Sequence, residues 1–195
     1  MTKSFSDLGI NEQLNQGLAD LQISVPTDIQ EKTIPVVLNQ KEDLVALAKT
    51  GTGKTAAFGL PLLQLINIED TNVQVIILAP TRELGHQIHA NLISFASQSP
   101  AISIAAVCGG IPIKPQMERL KTATQIVVAT PGRLVDLIKR GAINIRNIKY
   151  LVLDEADEMV SALKIDLDFI IKDIPKSRRT LLFTATMPGA IKQLV

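Results

Sequence analysis

Six short runs, at 44–48, 73–79, 102–108, 125–129, 150–153 and 180–183, are rich in Val, Ile, Leu and Ala without a polar residue at every second place. A strand built this way has no face to show to water, so both faces of its sheet must be covered. Segments with helical spacing lie between the runs, including 55–66, 83–96 and 134–139. Strand followed by helix, repeated, predicts a doubly wound α/β domain: a mostly parallel sheet between two helical layers, joined by right-handed crossovers. With 195 residues, 46% of them hydrophobic, the chain can enclose one such core. Functional groups in these sheets gather beyond the carboxyl ends of the strands.

The first predicted strand runs straight into Ala48, Lys49, Thr50, Gly51, Thr52, Gly53, Lys54 and Thr55, and a helical pattern follows. Strand, glycine-rich turn, Gly-Lys-Thr and helix is the context of a Walker A phosphate loop. Gly51 and Gly53 let the backbone turn its N–H groups inward, and the new helix adds a positive dipole end. Lys54 is placed to reach the outer phosphates, and the Thr55 hydroxyl to ligate Mg2+. The generic pattern begins with glycine; Ala48 adds only a methyl group there. The fifth run ends in the carboxylates Asp154, Glu155 and Asp157. Asp154 is the second candidate metal ligand, directly or through water, and Glu155 the candidate base for an attacking water.

Asp154-Glu155-Ala156-Asp157 spells the signature of the DEAD-box RNA helicases, and the chain resembles that family over essentially its whole length. The resemblance implies a three-layer RecA-like P-loop NTPase fold, with ATP and Mg2+ as cofactors and RNA as partner. Pro26-Thr27-Asp28-Ile29-Gln30 is similar to the Q motif, in which the glutamine reads the adenine edge. An amide offers a donor and an acceptor that match the base. Phe5 occupies the isolated aromatic position that the family sets against the adenine ring, whereas Gln22 and Ile23 replace the usual glycine and aromatic. Residues 1–40 are expected to form a helical annex, with patterns at 11–21 and 27–38, belonging to the same domain as the sheet of 41–195.

Three further strand ends carry Pro80, Thr81, Arg82 and Glu83; then Gly109 and Gly110; then Thr130, Pro131, Gly132 and Arg133. Threonine as N-cap, proline at the first helical position and Gly141 beyond the end describe an ordinary helix. A helix start beside arginine also suits a phosphate. By resemblance these segments are the motifs that bind the RNA sugar-phosphate backbone. Gly85 replaces the family's usual alanine. Thr184-Ala185-Thr186 is similar to the family's Ser-Ala-Thr motif and, with Asp157, is expected to couple the nucleotide site to strand separation.

A net charge of +1 gives no global basic field, so any grip on nucleic acid must be local. Few aromatics and no tryptophan argue against a base-stacking platform, hence against sequence-specific contacts. The lone Cys108 excludes an internal disulfide, and no apolar run is long enough to span a membrane. A monomeric, cytoplasmic protein is expected. His86 and His89 are read as lying on a solvated helix face. No candidate arginine finger is present, and the sequence ends at 187–195 on a helical pattern, so a second RecA-like lobe is expected elsewhere. Weak nucleotide binding with almost no turnover is therefore expected of this chain alone. A DNA-acting helicase, another P-loop NTPase and a non-catalytic nucleotide- or RNA-binding module remain alternatives.

Overall fold

The computed structural model describes residues 3–187; the end of the final helical pattern, 188–195, lies outside the described residues. All six predicted strands form: β1 (Leu44–Leu47), β2 (Val75–Leu78), β3 (Ile104–Val107), β4 (Ile126–Ala129), β5 (Tyr150–Asp154) and β6 (Arg179–Thr184). Their order is β1-β6-β5-β2-β4-β3, and every pairing is parallel, so the sheet is wholly rather than mostly parallel.

Alternate residues of each strand enter different cores. Val75 and Ile77 join one apolar cluster beneath α1 (Glu12–Asp20), α2 (Asp28–Asn39), α3 (Lys54–Leu65) and α4 (Arg82–Phe95). Ile76 and Leu78 join the other, beneath α5 (Ile113–Leu120), α6 (Pro131–Lys139), α7 (Ala156–Ala162) and α8 (Lys164–Asp173). Each such aliphatic side chain contributes about 1.5–3 kcal/mol by leaving water. Phe5, Leu8, Leu14 and Leu18 lie in the first cluster with the sheet residues, so the N-terminal helices share the sheet's core. No helix among the described residues is long and apolar enough to cross a membrane.

Three helices lie where the sequence pattern is weak. In α5, Pro115 interrupts a polar octapeptide whose apolar residues Ile113, Met117 and Leu120 pack toward the core beside the buried Gln116. In α7 and α8 the apolar residues around the break at Leu163 do not keep one continuous period. Ile165, Leu167 and Phe169 alternate with acids like a strand, yet the helix wins because it buries Leu167, Ile170 and Ile174 together, leaving Ile165 86% exposed.

Arg179, at the start of β6, is 6% exposed and donates to the carbonyls of Glu42 (2.6 Å), Val37 (2.7 Å) and Val36 (3.2 Å). Two of those carbonyls belong to the last turn of α2, where acceptors otherwise go unpaired. One guanidinium thus ties the end of α2 and the lead into β1 to the neighbouring strand.

The end of α1 carries strain. The Gln22 and Ile23 N–H groups donate to the Ala19 and Leu18 carbonyls, both at 2.9 Å, with Gln22 at φ 59°. This is a Schellman turn, whose left-handed position favours glycine. Gln22→Gly is expected to stabilise the fold by about 1 kcal/mol, read as a higher urea midpoint with an unchanged slope. A midpoint that stays or falls would refute strain at this turn.

Close packing explains another glycine. A Cβ at Gly85 of α4 would lie 2.7 Å from Cys108 Sγ, so the family's usual alanine would collide here. Gly85→Ala is expected to destabilise by about 1–3 kcal/mol, and Cys108→Ala in the same chain to return part of that loss. Additive effects in a double-mutant cycle would mean the two do not collide.

Candidate active site

The loop after β1 is held by the annex. Ala48 N–H donates to Thr184 O at 3.0 Å, so the β1–β6 ladder runs into the loop and tolerates its methyl group. Gly51 and Gly53 follow at φ 82° and 91°, conformations that side chains resist. Thr52 Oγ1 donates to Lys49 O at 2.7 Å, and Thr27 Oγ1 to Thr52 O at 2.9 Å. Gln30, 5% exposed, accepts from Thr27 N–H at 2.9 Å and donates through Nε2 to Gly53 O at 3.0 Å. Its amide therefore clasps the loop, and keeps one N–H and one lone pair for anything else.

Where the loop enters α3, Lys54 Nζ lies 3.1 Å from Asp154 Oδ1 and 4.0 Å from Glu155 Oε1. The lysine and Asp154 are 6% and 2% exposed. The ammonium is ion-paired with Asp154 and has no further acceptor among the described residues. One carboxylate does not fill the three donors of a buried ammonium, and a second anion would complete it. Burial pushes the Asp154 carboxyl above its ordinary range, while Lys54 pulls it back. Glu155 begins α7 with φ 55° and ψ 50°, a left-handed conformation uncommon outside glycine, and accepts from Thr50 Oγ1 at 2.9 Å. Backbone strain of this kind persists where the surroundings overdetermine it. The pairing of Thr50 with Glu155 carried no sequence signal, because the two are brought together only by the fold.

A cleft of about 440 Å³ contains Gln30, Gly51, Gly53, Lys54, Thr55, Asp154 and Glu155 in its lining. Its far wall is Leu21 and Ile23, with Leu84, Gln87 and Asn91 of α4; of these the sequence singled out only Ile23. Phe5, expected against the base, is 2% exposed within the first core cluster and leaves no face open to the cleft. The turn it begins, in which Leu8 and Ile10 N–H groups donate to Phe5 O, drives all three apolar side chains inward. No group of three or more His, Cys, Asp or Glu able to hold a metal occurs among the described residues. Thr55 with Asp154 instead fits an Mg2+ that keeps waters and takes phosphate oxygens, the usual habit of that ion.

The carboxyl ends of β2, β4 and β3 continue along the same edge of the parallel sheet, beyond β5. Thr81 caps α4, accepting from Leu84 N–H at 3.2 Å; Arg82 and Glu83 are exposed and paired with each other. Arg82 lies over the glycine turn, for a Cβ at Gly110 would meet its Nη1 at 2.6 Å. Thr130 does not cap α6 through its side chain as expected; its hydroxyl accepts from Gly109 N–H at 3.1 Å. Pro131 does open α6 and is buried, and Gly141 at φ 65° closes it. Arg133 is turned inward, donating to Gln116 Oε1 and Ile111 O, each at 2.8 Å. His86 is exposed, but His89 is half-buried beside Ile104 O (3.4 Å), so a wholly solvated histidine face is corrected; burial holds its pKa below the ordinary value.

Asp157 links the acid strand to β6. Thr186 donates to Asp157 Oδ2 through Oγ1 at 2.7 Å and N at 3.1 Å. Against partial burial, which pushes it up, hydrogen bonding from Thr186, with the Thr184 hydroxyl dipole nearby, holds this carboxyl below its ordinary range. The Thr184 hydroxyl donates to Thr186 O at 2.6 Å, so the contact with the acid runs through Thr186.

The sequence profile of DEAD/DEAH box helicases matches residues 27–194. The ATP-dependent RNA helicase CshA of Listeria monocytogenes is 46% identical over 195 residues, covering 100% of this chain and 37% of that protein. The crystal structure of a DEAD box protein from the hyperthermophile Methanococcus jannaschii superposes with a TM-score of 0.91 at 41% identity, covering 100% of this chain and 53% of that one. A Dbp5 variant of S. cerevisiae bound to RNA and ADP BeF3 gives 0.88 at 33% identity, covering 98% and 48%. The chain thus spans from about a third to about a half of the length of the proteins it resembles.

Proposed function

Since the chain belongs to the DEAD/DEAH box helicase family, we propose that it is the ATP-binding lobe of an ATP-dependent RNA helicase, acting with a second RecA-like lobe. The observation that carries this reading is the buried Lys54 ammonium at the mouth of a glycine loop, ion-paired with Asp154 at 3.1 Å and 4.0 Å from Glu155. Lys49, Thr50, Gly51, Thr52 and Gly53 supply backbone N–H groups to the phosphates, and Lys54 supplies charge. Thr55 and Asp154 hold Mg2+, which neutralises charge on the phosphates. Glu155 takes the proton of the attacking water as the new P–O bond forms and the β–γ bridge breaks, leaving ADP and phosphate. Asp157 and Thr186 transmit the state of the site to β6.

Gln30, on its remaining N–H and lone pair, reads the adenine edge, with Leu21 and Ile23 as an aliphatic wall. Phe5 supports that wall from within the core. Thr81, Arg82, Gly109, Gly110, Thr130, Gly132 and Arg133 form a backbone-binding track for RNA without base readout, in keeping with a cytoplasmic nucleic-acid enzyme. Alone, this lobe binds nucleotide weakly and turns over very little, because transition-state charge is met by an arginine that it does not supply. Competition between ATP and GTP for the chain tests the base reading. ATP is expected to win by about tenfold or more, as when a single donor–acceptor match is lost, and Gln30→Glu to erase the difference. Equal binding of the two nucleotides by the unaltered chain would overturn it.

A further inference from the structure

The glycine turn after β3 is fastened by a buried side chain that no motif includes. Gln116, in α5, is 5% exposed and lies among the ends of β3 and β4. Its Nε2 donates to Cys108 O at 2.9 Å, just before Gly109. Its Oε1 accepts from Arg133 Nη1, whose Nη2 donates to Ile111 O, just after Gly110. The turn 109–110 is therefore gripped on both flanks by one relay, with Thr130 Oγ1 holding Gly109 N–H between them. Gly110 takes φ 83° beneath Arg82, so the relay also sets how closely Arg82 approaches.

We infer that Gln116 is a positioning residue for the nucleic-acid track: it aims Arg133 and the Gly109–Gly110 turn at a phosphate without touching the ligand. Burial excludes direct contact with RNA, and an amide is the side chain that can accept from a guanidinium while donating to a carbonyl. A guanidinium held by two acceptors keeps its remaining N–H groups in a fixed direction, which suits a single phosphate better than a free arginine does. This inference rests on the proposed RNA reading of these strand ends.

The test uses fluorescence anisotropy of the chain with a single-stranded oligoribonucleotide at low salt, beside a fluorescent ADP. Gln116→Met keeps the volume and removes the relay. It is expected to weaken RNA binding about tenfold, one lost charge-assisted contact, with ADP affinity unchanged. Arg133→Ala is expected to weaken RNA binding similarly, and the double variant no further, because both break one relay. Full loss for Arg133→Ala with none for Gln116→Met would overturn the relay and leave the RNA track standing. No loss in either, or no RNA binding by the unaltered chain, would remove the track itself. If Gln116→Met also loses ADP binding, the fold has failed, and Gln116→Glu carries the test. It keeps the acceptor for Arg133 but not the donor for Cys108 O; unchanged RNA binding in that variant would overturn the grip on the turn.

Discussion

Glu155→Gln is expected to lower ATP turnover about a hundred- to ten-thousandfold, the usual weight of a general base, while ATP affinity hardly moves. The amide keeps the volume of the side chain and can still accept from Thr50 Oγ1, now 2.9 Å away. It loses only the capacity to take a proton. Glu155 is also the more distant of the two acids from Lys54, at 4.0 Å against 3.1 Å for Asp154. The lysine's closer neighbour is therefore untouched, and the binding half of the site should persist. The measurement is steady-state phosphate release with RNA in the full-length protein that carries this chain, beside nucleotide binding by the chain alone. Undiminished turnover would take the base role from Glu155. A parallel collapse of affinity would make it a binding group.

Lys54→Met should act on the other half of the site. The thioether retains the packing of the lysine stem, but the phosphates lose their buried point charge, which costs about 2–5 kcal/mol. Isothermal titration should then find nucleotide affinity reduced about thirtyfold or more. Asp154, 2% exposed, loses the cation that opposes its desolvation, so its carboxyl rises further above its ordinary value. A carboxyl raised in the folded state weakens the fold as pH climbs from its unfolded pKa through its folded one. Lys54→Met should therefore lose more stability near neutral pH than near about pH 4, where the unfolded carboxyl is about half protonated. Asp154→Asn added to it should restore stability but not nucleotide binding. A variant that binds ATP normally would remove Lys54 from the phosphate site, and a pH-independent deficit would separate it from Asp154.

Short-range features proved readable where one local rule decided the outcome. Gly51, Gly53 and Lys54 could be placed from spacing alone, because strand, turn and helix follow one another in the chain. Gly141 likewise closes α6, since the final turn of a helix is a local matter. The failures share a cause as well. Phe5 was expected to face the base through the resemblance to the family's isolated aromatic, whereas the fold buries it in one cluster with Leu8 and Leu14. Thr130 has the chemistry of a cap, but Gly109, 21 residues away, claims its hydroxyl. Arg133 reads from sequence as a free arginine, whereas Gln116 and Ile111 O hold two of its N–H groups and leave the others for a phosphate.

What the sequence by itself determined is the alternation of apolar strand and helix and the residues at each strand's carboxyl end. Hydrophobic period and turn chemistry act over a few residues, and neither needs a partner from elsewhere. The tertiary structure alone decided which of those ends meet. The order β1-β6-β5-β2-β4-β3 brings Lys54 to Asp154, Thr50 to Glu155 and Arg179 to the end of α2. Such pairings join groups as many as 143 residues apart, and their formation depends on burying both faces of one sheet at once, a property of the whole chain rather than of any segment.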